Sequence, residues 1–220
     1  MAEYVPASYR TPIPTMFHDY HGQNIVLSEN NTAAYRRKGY AHGITFSREP
    51  LLPGEIFLLE IVNFEHGWIG NIRCGLTQKN PSSNFNLPPY ALPGLVHEGH
   101  SWILPITRAG LNIFPQISIN DLSPAIYESN DHIYTSRGCL PSSTLWPCQK
   151  LPTFAHSDGE ETVIQESLNH SNSDNGRHMI PGGIGNRIGV TYIIRDGLAE
   201  MYIFLNGSVY GPCATEIPLN

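Results

Sequence analysis

Charged side chains are scarce in this sequence, at 15% of its 220 residues. The only basic run is Arg36, Arg37 and Lys38, and the formal net charge is −6. Residues 1–110 are balanced, with 8 Lys/Arg and 8 Asp/Glu, so residues 111–220, with 5 and 11, hold the whole deficit. Because a nucleic-acid site needs a clustered basic face, we expect no nucleic-acid partner.

Cysteine pairs and long apolar runs are also lacking. The four cysteines form no CxxC pair, so a zinc finger or RING is not expected. The first 17 residues lack the apolar run of a signal peptide, and no stretch has the apolar length of a membrane span. The sequence therefore predicts a cytoplasmic chain with reduced thiols, without a membrane span, metal or other cofactor.

Catalytic motifs are equally scarce. His97-Glu98-Gly99-His100 is one residue short of an HExxH metal motif, and no third ligand is implied. No nucleophile elbow or oxyanion loop accompanies the many Ser and His residues. We predict no catalytic residues and keep a metal-dependent hydrolase using His97 and His100 as a minor alternative.

Glycine (20) and proline (18) are plentiful, which favours short strands joined by turns. Strands are predicted around 24–27, 33–39, 55–61, 68–77 and 101–106. In the fourth, Trp68, Gly70, Ile72, Cys74 and Leu76 share one face, which we expect to be the core face. Cys74 is then a small buried hydrophobe and not a nucleophile.

The clearest pattern lies near the end of the sequence. Apolar residues alternate over 186–194 and over 201–205, and Asp196-Gly197 and Asn206-Gly207 supply tight turns. This pattern predicts an antiparallel meander, with a third strand beginning at Ser208. Because no helices separate the strands, the whole pattern favours an all-β antiparallel sandwich.

The middle of the chain is less regular. Residues 1–15 are interpreted as a flexible N-terminal arm and 16–220 as one domain. About 110–185 is interpreted as a loop-rich insertion, partly disordered, because its apolar residues show no period. A capping box at 157–160 favours one helix there, over 157–168.

Several motifs follow one another with the order and spacing of the neuralized homology repeat. The resemblance covers roughly 17–109 and 186–212. It is carried by 35–51, 53–61, 67–70, 73–77, 80–81, 87–95, Trp102, 187–190 and 203–207. It implies a SPRY-like, jelly-roll-like β-sandwich that binds short peptide segments of other proteins.

The resemblance also implies a role in ubiquitylation. Members of this family act in E3 ubiquitin ligases and carry either a RING or a SOCS box, which recruits elongin B/C and a cullin. This sequence has neither, and the family's strands continue beyond a segment like 213–219. We therefore expect a domain that is incomplete at its C-terminus. It resembles the substrate-binding domain of a cullin-type adaptor, with elongin B/C and cullin as partners only if a longer form carries a SOCS box.

We expect three loops, 36–43, 62–68 and 80–100, to form a shallow groove, and seven residues are candidates for binding the peptide. They lie in or beside the family motifs, or are aromatic and basic residues near strand ends. They are Arg36, Tyr40, Arg48, His66, Trp68, Arg73 and Tyr90. Charge reversal at Arg48 or truncation of Tyr90 is expected to weaken partner capture without unfolding.

A carbohydrate-binding sandwich is the main alternative. Three N-x-[ST] sequons, the aromatic residues and the negative charge are compatible with an extracellular lectin. The lack of a signal peptide argues against it.

Overall fold

The fold is seen in a computed structural model that describes residues 15–63, 71–107, 111–148 and 183–219, with two further dipeptides, 154–155 and 161–162. The strands are β1 Ile25–Ser28, β2 Ala33–Arg36, β3 Phe57–Glu60, β4 Arg73–Thr77, β5 Ser101–Pro105, β6 Gln116–Ile117, β7 Tyr127–Ser129, β8 His132–Thr135, β9 Gly138–Pro141, β10 Phe154–Ala155, β11 Glu161–Thr162, β12 Arg187–Arg195, β13 Leu198–Leu205 and β14 Ser208–Ile217. Short helical turns occupy Pro81–Ser83, Ala91–Leu95, Ile119–Leu122 and Ser142–Leu145.

A five-stranded antiparallel sheet, in the order β3-β12-β13-β14-β6, organises the described residues. The predicted meander is its centre and is confirmed. Asp196 and Gly197 have φ of 51° and 81°, and Asn206 and Gly207 have φ of 52° and 89°. Two consecutive positive φ values suit the tight turns that match the twist of paired strands, and Asp-Gly and Asn-Gly adopt them readily.

Alternation along the central strands gives the sheet two apolar faces. Ile188, Val190, Met201 and Ile203 belong to one buried cluster. Tyr202 and Phe204, which are only 1% exposed, belong to the other. Since both faces are covered, the predicted antiparallel β-sandwich is confirmed.

The antiparallel pair β4–β5 covers the first face. Ile72, Cys74 and Leu76 pack against that cluster, as the parity of the sequence predicted. Burial raises the pKa of the Cys74 thiol to about 12. Cys74 therefore stays a neutral thiol at physiological pH, consistent with a packing role.

Residues 111–148 cover the second face. Leu122, Ile126, Ile133 and Leu145 are 0–2% exposed and pack with Tyr202 and Phe204 in the second cluster. The segment also contains β6 and the three-stranded sheet β7-β8-β9. This part of the predicted loop-rich region contains more strands and turns than its sequence indicated. Its apolar residues show no period because separate turns and short strands each contribute one or two of them to the core. The domain boundaries themselves stay a prediction.

The predicted helix over 157–168 is wrong at the two positions described within it. Glu161–Thr162 is a strand that pairs antiparallel with Phe154–Ala155. The other residues of that prediction lie outside the described part of the chain.

A smaller antiparallel hairpin, formed by β1 and β2, positions part of the site. β1 and β2 pair antiparallel, with Ile25 opposite Arg36, so the chain leaves β2 beside the start of β1.

Among the described residues, no helix is long and apolar enough to cross a membrane.

Candidate functional site

Four of the seven predicted site residues line one small pocket. Arg36, Tyr40, Arg73 and Tyr90 surround a cavity of about 270 Å³, which we call the arginine–tyrosine pocket. They come from three segments that are distant in sequence: the end of β2 with its following loop, the start of β4, and the turn before Ala91–Leu95. The fold brings these four residues together around one cavity.

The β2 end is held by a buried asparagine. Asn24 is 6% exposed, and its Nδ2 donates to the carbonyl of Ala41 at 2.8 Å. The backbone N–H of Asn24 donates to His42 O, and its carbonyl accepts from Arg37 N–H at 2.9 Å. Asn24 thus ties both ends of the loop that carries Tyr40. Sequence reasoning missed it, because its partners are backbone groups that carry no sequence signal.

The absence of a side chain at Gly43 shapes the position of Arg36. A Cβ at Gly43 would lie 2.8 Å from Arg36 Cδ, closer than carbon atoms pack. The aliphatic part of Arg36 therefore lies across Gly43. The stem packs against the Gly43 backbone, and Arg36 also lines the pocket.

Strand parity orients Arg73. Ile72 and Cys74 face the core, so Arg73 lies on the opposite face of β4 and is exposed. Asn71, two residues earlier and of the same parity, lines the same pocket. The alternation that buries one face of β4 thereby presents two polar side chains to the cavity.

The third wall is the segment around Tyr90. The backbone N–H of His42 donates to Pro89 O at 2.6 Å, which joins this segment to the Tyr40 loop. The N–H of buried Leu95 donates to Tyr90 O at 3.1 Å and anchors the following turn. Leu92 and Pro93 add an apolar surface to the pocket.

The two tyrosines are accessible from solvent. Tyr40 is 55% exposed and Tyr90 is 44% exposed. A tyrosine combines an apolar ring with a hydroxyl that can donate or accept, so such a pair can contact both the apolar and polar parts of a ligand. All four pocket residues also line a larger cavity of about 2040 Å³, which reaches residues of β4–β5 and of the five-stranded sheet.

The other three predicted residues are not in this pocket. Arg48 lines only the larger cavity, where its Nη2 lies 3.6 Å from Asp19 Oδ1 and its Nη1 contacts Met16 Sδ at 3.4 Å. His66 and Trp68 lie outside the described residues.

The His97–His100 motif does not present a metal-binding arrangement. His100 Nδ1 lies 3.0 Å from Gln78 Oε1, and Glu98 forms a 2.7 Å salt bridge with Lys79. In the described parts of the chain, no three His, Cys, Asp or Glu side chains are grouped so that they could hold a metal ion.

The structural class is therefore an all-β sandwich whose loops form an aromatic and basic pocket. Its fold resembles the solution structure of the NEUZ (NHR) domain in Neuralized from Drosophila melanogaster, with a TM-score of 0.54 over 97% of this chain and 84% of that one, at 18% identity. At that identity, the likeness concerns the fold alone.

The sequence comparisons identify the family. The Neuralized family model matches residues 17–218. Neuralized-like protein 2 of Mus musculus is 34% identical over 94% of this chain and 70% of its own length. E3 ubiquitin-protein ligase NEURL3 of Rattus norvegicus is 36% identical over 43% of this chain and 40% of its own length. The chain belongs to the Neuralized family, which includes E3 ubiquitin-protein ligases.

Proposed function

We propose that the chain is a non-catalytic protein-recognition module that binds a short peptide segment of a target protein in the arginine–tyrosine pocket. The observation that carries the proposal is the convergence of Arg36, Tyr40, Arg73 and Tyr90 from three separate segments on one accessible cavity. Arginine and tyrosine are, with tryptophan, the residue types enriched among those that dominate binding energy at protein interfaces.

The size of the pocket is compatible with a side chain of a bound peptide. Sites for drug-sized ligands typically occupy about 300–1,000 Å³ and enclose most of the ligand. At about 270 Å³, this pocket suits one or two side chains of a longer ligand. The larger cavity alongside offers room for the flanking residues of a bound segment.

Family membership gives the binding module its biological setting. Relatives include a protein named as an E3 ubiquitin-protein ligase, so the bound peptide would belong to a target for ubiquitylation. In this proposal the chain acts in the cytoplasm as the substrate-binding part of an adaptor. Elongin B/C and a cullin join only in a longer form that carries a SOCS box.

Selection from a displayed library of random nonapeptides tests the binding proposal. We expect the purified chain to enrich a shared motif. Tyr90→Ala and Tyr40→Ala should each weaken the selected peptides at least tenfold, which is about 1.4 kcal/mol or more, the scale of an interface anchor. Tyr127→Ala is the matched control, because Tyr127 is 39% exposed on β7 and lines neither cavity.

Thermal unfolding of each variant accompanies the affinity measurement, to separate lost contacts from lost folding. Failure to enrich any motif, or equal affinity of the wild type and both pocket variants, would rule out this pocket as a peptide site.

A further inference from the structure

The polar groups of the arginine–tyrosine pocket are rich in donors and positive charge. Arg36, Arg73 and Asn71 line it. A guanidinium carries N–H donors and no acceptor, and an amide adds an NH2 donor group. Of the described residues that line the pocket, none is acidic. Lys38, two residues after Arg36, lines the adjoining larger cavity, whose lining is of mixed charge and includes Asp19, Glu29, Glu49 and Glu60.

Arg73 is an exposed cation that forms no salt bridge with another described residue. Five salt bridges join described residues to one another, and Arg73 takes part in none of these five. Those bridges join Arg48 to Asp19, Lys79 to Glu98, Arg137 to Glu55, Arg187 to Glu60 and Arg195 to Glu200. Arg73 instead presents its charge beside a concave surface, where a ligand can approach.

The overall charge of −6 does not cancel this local field. At physiological ionic strength, exposed charges are screened beyond about 8 Å. A group that enters the pocket therefore responds to Arg36 and Arg73, which line it, far more than to the acidic residues spread over 111–220.

The remaining surface of the pocket is apolar. Leu92, Pro93 and the rings of Tyr40 and Tyr90 supply carbon surface beside the two guanidinium groups. Such a combination recognises an anionic side chain whose stem or neighbour is apolar. Arginine is well suited to this task because its planar fork matches the two oxygens of a carboxylate or phosphate.

We propose that the arginine–tyrosine pocket selects peptide segments by an anionic side chain, which contacts Arg36 and Arg73 while an adjacent apolar group lies against Leu92 and Pro93. This inference rests on the proposed peptide-binding function and adds the chemical class of the bound residue. The anion comes either from the carboxylate of Asp or Glu or from a phosphorylated residue, which share the same contacts with arginine.

Four degenerate nonapeptide pools test this selection. They carry a fixed central Glu, phosphoserine, Gln or Lys, and the fraction of each that the immobilised chain retains is measured. We expect the Glu or phosphoserine pool to be retained at least fivefold over the Gln pool, and the Lys pool least. The advantage should shrink when salt is raised from 50 to 500 mM. Retention of both anionic pools identifies a general anion site, whereas retention of the phosphoserine pool alone assigns the ligand to phosphopeptides.

Substitutions at Arg73 test whether the preference for anionic peptides arises in this pocket. Arg73→Gln should abolish the difference between the anionic and Gln pools, and Arg73→Lys should restore part of it by returning the charge without the fork. Arg195→Gln is the matched control, because Arg195 lines neither cavity. Gly43→Ala is a second route, since the added methyl displaces the Arg36 stem without removing a charge.

The failures of the two proposals are distinguishable. Equal retention of the Glu, phosphoserine, Gln and Lys pools overturns anion selection but leaves peptide binding intact. Retention of none overturns both. An anionic preference that Arg73→Gln and Gly43→Ala leave unchanged places the selective site elsewhere and refutes the assignment to this pocket.

Discussion

Leu122 provides the sharpest test of the role of residues 111–148 in the fold. It is 0% exposed and belongs to the cluster that covers the second face of the central sheet. Leu122→Ala removes three carbon atoms, and at about 0.8 kcal/mol for each buried carbon the lost transfer free energy is about 2.4 kcal/mol. A residual cavity adds to this, so we expect the free energy of unfolding to fall by about 3–4 kcal/mol.

Urea unfolding followed by tryptophan fluorescence measures this loss. In a chain of 220 residues, a loss of 3 kcal/mol corresponds to a fall in Tm of roughly 6–12 °C. Ile113→Ala is the control from the same segment. Ile113 is 76% exposed, so its truncation should change stability by less than about 0.5 kcal/mol.

The comparison between the two variants decides the matter. If the segment were a peripheral insertion, Leu122→Ala would cost no more than Ile113→Ala. Equal losses below about 1 kcal/mol, with an unchanged urea dependence, would refute the assignment of residues 111–148 to the core.

Two further predictions concern titration and the extent of the site. Burial raises the pKa of the Cys74 thiol from 9.0 to about 12. The folded state therefore favours the protonated thiol, and this stabilisation is complete below pH 9 and is lost as pH rises towards 12. Between pH 8 and 11, the free energy of unfolding should fall more steeply with pH for the wild type than for Cys74→Ala. Parallel curves of unfolding free energy against pH would contradict this prediction. Arg48→Glu should weaken a selected anionic peptide less than Arg73→Glu does, because Arg48 lies outside the small pocket and contacts Asp19. Equal losses in titrations of the two variants would extend the site along the larger cavity.

The sequence predicted the sheet best where period and turn chemistry agree. In β12 and β13, alternate residues fill two different cores, and Asp-Gly and Asn-Gly adopt the positive φ values of the turns. The second core could not be predicted in the same way. Leu122, Ile126, Ile133 and Leu145 come from separate turns and short strands, so their spacing follows tertiary packing and has no regular period.

The candidate site also has one part that the sequence predicted and one part that it could not predict. The parity of β4 was enough to place Arg73 opposite the core, because one face of that strand is apolar. The meeting of the Tyr40 loop with the Tyr90 segment was not readable from the sequence. It depends on a hydrogen bond between the backbone groups of His42 and Pro89, and any residue pair can supply such groups.

Asn24 tests whether that loop geometry is necessary for binding. Asn24→Ala leaves the carbonyl of the partly buried Ala41 without its 2.8 Å donor, and the loss of such a hydrogen bond costs about 0.5–1.5 kcal/mol. The loss is local, so hydrogen exchange at the His42 amide should accelerate while amides of β12 to β14 keep their protection. The affinity of the Asn24→Ala variant for a selected peptide should also fall.

Gln23→Ala is the control, because Gln23 is exposed and its backbone carbonyl, which accepts from Arg37, is retained in the variant. Faster exchange at His42 with unchanged affinity would mean that the pocket assembles on binding and does not need the Asn24 contact. Unchanged exchange would mean that His42 and Pro89 hold the loop unaided. Only acceleration and weakened binding together support a pocket preorganised by Asn24, in which the positions of Tyr40 and Arg36 are set before the peptide arrives.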